Sequence, residues 1–308
     1  VDPSENISLR LSQGKASVMF SATFLPVNYF KEMISGDISD YAVYAHSPFD
    51  TSNKRVIVGR DVSSRYTRRN INEYTKIADY IRKMVTSRHG RYMIFFPSYS
   101  YMQSVYDIYI KKYENTILEL SAALNDENIN DENTAKKGQE QQREYEGKAV
   151  YNIIKQPSNM KEADKESFLS LFAENEKTDI AGFCVLGGIF SEGIDLRGDA
   201  LIGVAVVGTG IPMVCRQRNI LRDYFDSHGK NGYQYAYVYP GMNKVLQAAG
   251  RVIRTDNDKG IILLLDDRFL TKEYELQYPR EWDKIYPCDA SCVSEYIDDF
   301  WKGITADD

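Results

Sequence analysis

The sequence is poor in the features that mark several protein classes. Its 308 positions hold four cysteines, Cys184, Cys215, Cys288 and Cys292, and no two of them stand as CxxC. Neither a disulfide framework nor a zinc ribbon is indicated. Cys288 and Cys292 have helical spacing that lets a pair share a ligand, but structural thiols are the commoner reading. A reducing, cytoplasmic setting fits. No stretch approaches the ~20 apolar residues that a membrane-spanning helix needs. The first residues, Val1-Asp2-Pro3-Ser4-Glu5, carry no basic-then-apolar signal segment and no initiator Met, as expected of a fragment or a trimmed chain. The phosphate-cradling pattern GxxxxGK[ST] is also missing. Gly14-Lys15, Gly147-Lys148 and Gly229-Lys230 each lack the upstream Gly and the following Ser or Thr. The acidic pairs Asp126-Glu127 and Asp131-Glu132 lie in a polar stretch, not at a strand end.

What is present is ordinary in amount and uneven in distribution. Hydrophobic residues make up 43% and charged residues 27%, as in a globular protein with ample core. A net charge of −6 argues against a chain that binds nucleic acid over its whole surface. Between Lys54 and Arg91, however, 11 Lys and Arg face only Asp61, Glu73 and Asp79. One basic face on an acidic protein is enough to meet a phosphate backbone, although such runs are often solvated helix surface.

Read in order, the chain alternates short apolar runs with amphipathic ones. Ala16 to Phe20 reads as a strand leading into Ser21-Ala22-Thr23, and small hydroxylated residues at a strand end suit the ligand crevice of an open α/β sheet. Pro26 opens a helix over Val27 to Ile34. Tyr41–Ala45 and Arg55–Val58 read as strands, and Asn70 or Asn72 caps a helix to about Arg88. Tyr92–Phe96 is a buried-strand pattern, followed by Pro97-Ser98-Tyr99-Ser100-Tyr101 and a helix to about Tyr113. Hydroxyls and aromatics at such a turn suit a nucleic-acid backbone; plain packing is the rival for each Tyr. Residues 125–147 read as a polar insertion. A helix spans Lys161 to Phe172, and a strand spans Phe183 to Leu186.

The glycine-rich stretch Gly187-Gly188-Ile189-Phe190-Ser191-Glu192-Gly193-Ile194-Asp195-Leu196 follows that strand. Its glycines let backbone approach a ligand, and its acids offer carboxylates; a tight turn is the bland alternative. Leu201–Val207 is a strand, and Val214–Phe225 is a helix. Tyr235–Tyr239 reads as a strand or as an extended lead into a helix. Gln247 to Arg254 reads as a helix with Gln247, Arg251 and Arg254 on one face, and paired guanidiniums suit a phosphate. Ile261–Leu265 is a buried strand. Residues 271–308 read as a helical appendage packed on a first unit of residues 1–270. Strands alternating with helices imply an α/β fold with a parallel sheet covered on both faces.

Four of these segments, in this order, resemble motifs of the XPD/DinG-type superfamily 2 DNA helicases in their second RecA-like domain. They are Met19-Phe20-Ser21-Ala22-Thr23-Phe24, Tyr92 to Tyr101, Gly187 to Leu196, and Gln247 to Arg254 with its trailing strand to Phe269. The resemblance spans nearly the whole chain. It implies a RecA-like sheet, with Arg251 and Arg254 as arginine fingers on ATP and Gln247 beside them. It implies further that Glu192 and Asp195, with Gly193, face the nucleotide cleft or help couple it to DNA, and that Ser21, Ala22 and Thr23 couple hydrolysis to movement. Ser98, Tyr99, Tyr101 and Gly188 would lie near single-stranded DNA.

The resemblance also implies ATP with Mg²⁺ held mainly by an N-terminal helicase domain of the same polypeptide. An iron–sulfur cluster would belong only to that domain, and unwinding would run 5′ to 3′ in repair or replication. The 308 residues by themselves are expected to be monomeric and inactive in ATP hydrolysis. A non-catalytic nucleic-acid-binding module and a protein-interaction scaffold are the alternatives.

Overall fold

The structure, a computed structural model, describes residues 2–114, 152–158, 160, 162–172, 179–187, 190 and 201–305. Its centre is a seven-stranded, wholly parallel sheet: β1 (Lys54–Gly59), β2 (Arg91–Phe96), β3 (Asn152–Lys155), β4 (Ile180–Val185), β5 (Gly203–Val207), β6 (Gly260–Leu265) and β7 (Ile285–Cys288). The order across it is β3-β4-β2-β5-β6-β1-β7. The continuous apolar runs become the inner strands because a parallel sheet is covered on both faces, leaving no solvated side to alternate with. Every residue of β2 and of β6 is buried.

Alternate side chains serve two cores. Ile57, Ile94, Phe96, Ala205, Val207 and Leu263 point to one face. That face is covered by α3 (Ile71–Val85), α4 (Tyr99–Tyr109) and α9 (Val293–Thr305). Val56, Val58, Met93, Phe95, Val206 and Leu264 point to the other, beneath α5 (Glu162–Ser170) and α7 (Tyr239–Ala249). Among the described residues the other α-helices are α1 (Ser4–Leu11), α2 (Val27–Ile34), α6 (Arg216–Ser227) and the one-turn α8 (Lys272–Glu275). Helix starts follow their caps: the side chain of Asn70 accepts the Glu73 N–H at 3.1 Å, and that of Ser98 accepts the Tyr101 N–H at 3.3 Å.

Three expectations fail for identifiable reasons. Residues 16–20 and 41–45 form no strand; Val18, Phe20, Tyr41 and Val43 are 86–102% exposed. An apolar run becomes a strand only beside a partner edge, and among the described residues neither has one. Tyr235–Tyr239 is helical, as a wide π turn over Gln234–Val238 that runs into α7. Its aromatic run is buried by helix packing, with Tyr235 against Phe225 at 4.4 Å between ring centroids. The tail does end in a helix, but before it the tail supplies β7, which extends the sheet beyond β1. The polar insertion at 125–147 lies outside the described residues.

Candidate nucleotide and nucleic-acid site

The C-terminal ends of the parallel strands form one rim, and the turns leaving it are held by polar bonds. After β6, Asp266 is fully buried and accepts the Ser64 N–H at 2.8 Å and the Ser64 hydroxyl at 2.7 Å. Arg268 donates from Nε to the same carboxylate at 2.8 Å. Burial alone would raise the Asp266 pKa. The hydrogen bonds and charge of Arg268, with the Ser64 donors, overturn that and hold the carboxyl below its usual range. This clamp ties the turn after β1 to the turn after β6. Outside it, Arg65 grips Asp267 through two contacts of 2.8 Å, and Arg68 reaches Glu73 at 3.0 Å.

After β2, Tyr99 is positioned by a relay from the neighbouring strands. The Gln156 amide donates to the Tyr99 hydroxyl at 2.6 Å, while its carbonyl accepts the Val185 N–H at 2.8 Å. The Tyr99 hydroxyl in turn donates to the Pro157 carbonyl at 3.1 Å. Ser98 and Tyr99 both remain half-buried at the surface. Tyr101 differs from expectation. It is 2% exposed, its ring lies against Tyr74 at 5.1 Å, and Arg69 covers it at 4.9 Å. At the third position of α4 its side chain turns onto the sheet, so it is core and not a surface for a strand.

The arginine segment is also arranged differently from the single helical face that its spacing predicts. Helix α7 stops at Ala249, and the Gly250 N–H closes the last turn on the Leu246 carbonyl at 2.8 Å. Arg251 and Arg254 therefore stand on the connection to β6. The buried Asp258 shapes that connection by accepting the N–H groups of Arg254 and Thr255 at 2.7 and 2.8 Å and the Thr255 hydroxyl at 2.7 Å. Three backbone and side-chain donors converging on one carboxylate outweigh continuation of the helix. Gln247 stays exposed on the last turn of α7, Arg254 is half-buried, and Arg251 is 4% exposed.

Burial, and after it the positive charge of Arg254, push the Arg251 pKa down to about 10, while nearby Cys184 of β4 acts in the opposite direction. Even so, the guanidinium stays charged at neutral pH. A charged, partly desolvated fork beside a second cation can receive a phosphate oxygen.

Ser21, Ala22 and Thr23 form a turn at the surface, with the Thr23 N–H on the Ser21 oxygen at 3.1 Å; among the described residues no paired strand leads into it. Gly188, Glu192, Gly193 and Asp195 lie outside the described residues. Among the described residues no cluster of three or more His, Cys, Asp or Glu could hold a metal ion, and no helix is long and apolar enough to cross a membrane. The Asp266–Arg268–Ser64 clamp and the Gln156 relay escaped sequence reasoning. Their only signals are single polar residues just after apolar runs.

Comparison with known proteins agrees with this architecture. The helicase C-terminal domain family matches residues 81–285, more than half of the chain. The Probable ATP-dependent helicase MJ0942 of Methanocaldococcus jannaschii is 26% identical over 235 residues, covering 72% of this chain and 30% of that protein. The Regulator of telomere elongation helicase 1 homolog of Oryza sativa subsp. japonica is 31% identical over 196 residues, covering 60% of this chain and 17% of its own length. The chain thus spans under a third of these relatives. A solved structure named XPD_Helicase superposes with a TM-score of 0.61 at 19% identity, over 93% of this chain and 45% of the other; at that identity the likeness is one of fold. The parallel sheet flanked by helices is the RecA-like fold, and the chain belongs to the helicase C-terminal domain family, of the XPD/DinG type within superfamily 2.

Proposed function

We propose that this chain is the second motor lobe of an ATP-dependent DNA helicase. In this reading a preceding domain of the same polypeptide holds ATP and Mg²⁺, and Arg251 supplies a guanidinium to the phosphates with Arg254 beside it. The observation that carries the reading is the buried, charged Arg251 beside a second cation. A charge held partly out of water beside a second cation suits an anion. Gln247, exposed one turn earlier, is proposed to contact the same nucleotide. Glu192, Gly193 and Asp195 are proposed to line the nucleotide cleft, and Ser21, Ala22 and Thr23 to couple hydrolysis to domain movement.

Arg251 would hold the phosphates and stabilise the negative charge that develops as the terminal phosphoryl group leaves. Mg²⁺, when bound, neutralises phosphate charge from the other lobe. Single-stranded DNA would cross the strand-end rim at Ser98, Tyr99 and Gly188, with 5′ to 3′ movement and a role in repair or replication; the cytoplasm is the proposed location. The test is ATP turnover by a protein that includes the phosphate-loop domain. Arg251→Met should abolish DNA-stimulated hydrolysis while leaving DNA binding intact, and unchanged hydrolysis would refute the assignment.

A further inference from the structure

Lys244 occupies an electrostatically costly place. It stands on the second turn of α7, half-buried, and its side chain crosses the backbone of Gly187. A Cβ added at Gly187 would lie 2.9 Å from Cδ, Cε and Nζ of Lys244, and the residue has φ +73°. Glycine there is required twice, by conformation and by the lysine lying over it. Burial, followed by the positive charge of Arg218, lowers the Lys244 pKa. Arg218 itself stands in the first turn of α6, a turn without an acidic residue, so the partial positive charge of that helix end adds to the crowding. One Arg218 N–H is used by the Ala236 carbonyl at 2.9 Å. Among the described residues no carboxylate forms an ion pair with Lys244 or Arg218. Two cations so placed favour an anion beside them.

We propose that Lys244 and Arg218 form a subsite for one phosphodiester of a nucleic-acid strand, with the phosphate lying over Gly187. The position on the rim favours a strand as the source of that phosphate. Gly187 leaves β4 beside the turn that leaves β2: Phe96 pairs with Val185, and the Leu186 N–H bonds to the Phe96 carbonyl at 2.8 Å. Neighbouring parallel strands lie ~4.8 Å apart, so Ser98, Tyr99 and Gly187 are side by side. The tethered Tyr99 ring is a platform for a base, and the cations beyond Gly187 serve the adjoining backbone. Close packing of α7 onto the turn after β5 fixes the lysine's height. A Cβ on Gly241 would come within 2.9 Å of the Thr209 carbonyl, so no side chain separates the two. The proposal rests on the helicase reading and adds to it two residues that no sequence motif marked.

The test is binding of a labelled oligodeoxythymidine by this chain, followed by fluorescence anisotropy across a salt series. Lys244→Met keeps the apolar stem and removes the charge. It should weaken binding about tenfold at low salt and flatten the plot of log affinity against log salt by about 0.7, the value for one lost phosphate contact on a single strand. Lys244→Arg should restore the slope, and Gly187→Ala, which displaces the lysine, should imitate its loss. If Lys244→Met does not fold, Arg218→Met carries the same test from the other helix.

Wild-type affinity and slope in the folded charge-removing variants would overturn the proposal. So would loss of pyrophosphate binding with oligonucleotide binding intact, because the phosphate would then be a nucleotide's. Absence of oligonucleotide binding by the unaltered chain at low salt would overturn it as well. The ATP-turnover test of Arg251 is independent, so either assignment can fail alone.

Discussion

Arg251 offers a prediction in which stability and function move in opposite directions. Its pKa falls from the ordinary arginine range to about 10. At ~1.36 kcal/mol per unit, the charged form is disfavoured in the fold by about 3 kcal/mol as an upper bound. Solvent at the edge of the connection and local relaxation reduce this to about 1–2 kcal/mol. The sign follows from linkage. The folded guanidinium holds its proton less tightly than the unfolded one, so the penalty is complete below pH ~10 and relieved only as pH climbs above it toward the ordinary arginine range. At neutral pH it is fully present. Arg251→Met keeps most of the buried volume, removes the charge, and forfeits polar contacts of about 1 kcal/mol each.

The chain carrying Arg251→Met should therefore be as stable as the unaltered one or up to about 2 kcal/mol more stable. Urea unfolding at pH 7 measures this, with an unchanged denaturant slope as the sign that the same transition is followed. In a protein that includes the ATP-binding domain, the same substitution should reduce turnover by about 10³-fold or more. A loss of about 2 kcal/mol or more in the chain would refute the reasoning, because Arg251 would then be a structural tie whose charge the fold needs.

Three further outcomes follow from the rim and the arginine connection. Asp258→Ala removes the acceptor for two backbone N–H groups and one hydroxyl at a buried position, and should cost about 3 kcal/mol in urea unfolding. Gly210→Ala places a Cβ 2.4 Å from the Gly241 carbonyl at a residue with φ +67°, so thermal unfolding should show a loss of at least about 2 kcal/mol. Asp266, whose folded pKa is depressed, contributes stability that is present above its unfolded value of about 3.9 and lost as pH falls through the folded value. The gap in urea midpoint between the unaltered chain and Asp266→Asn should therefore be wide at pH 7 and narrow steadily below pH ~4; a constant gap would show that the clamp does not titrate.

Much of the sheet was legible because burial on both faces writes itself as an unbroken apolar run. Val56-Ile57-Val58, Tyr92 to Phe96 and Ile261 to Leu265 could hardly be anything else. The same rule misread Val18-Met19-Phe20 and Tyr41 to Ala45, since a run records willingness to pair and not the presence of an edge. The edge strands β3 and β7 went unread for the opposite reason. They are four residues long, and Pro287 in β7 obscures a strand that needs bonds on one side only. For the site, residue types were legible but their geometry was not. A spacing of four and three places Gln247, Arg251 and Arg254 on one helical face, yet Gly250 and Asp258 end the helix between them. Tyr99 and Tyr101 look alike in sequence, and their position in the first turn of α4 sends one to the rim and the other to the core. Lys244 gave no signal at all, because its meaning depends on Gly187, which lies far away in the chain.

The strand order also governs how this sheet is made. β1 sits between β6 and β7, and the Ser64–Asp266 bond that closes its exit spans 202 positions. At a synthesis rate of ~5–20 residues per second, Val56, Ile57 and Val58 must wait roughly 10–40 s for the strands that cover their edges. β2, β4 and β5 can meet sooner, so the nascent chain would assemble its far half first and receive β1 late. Such a delay exposes a sticky strand during translation. Chaperone dependence and synthesis rate should therefore weigh on the yield of this protein.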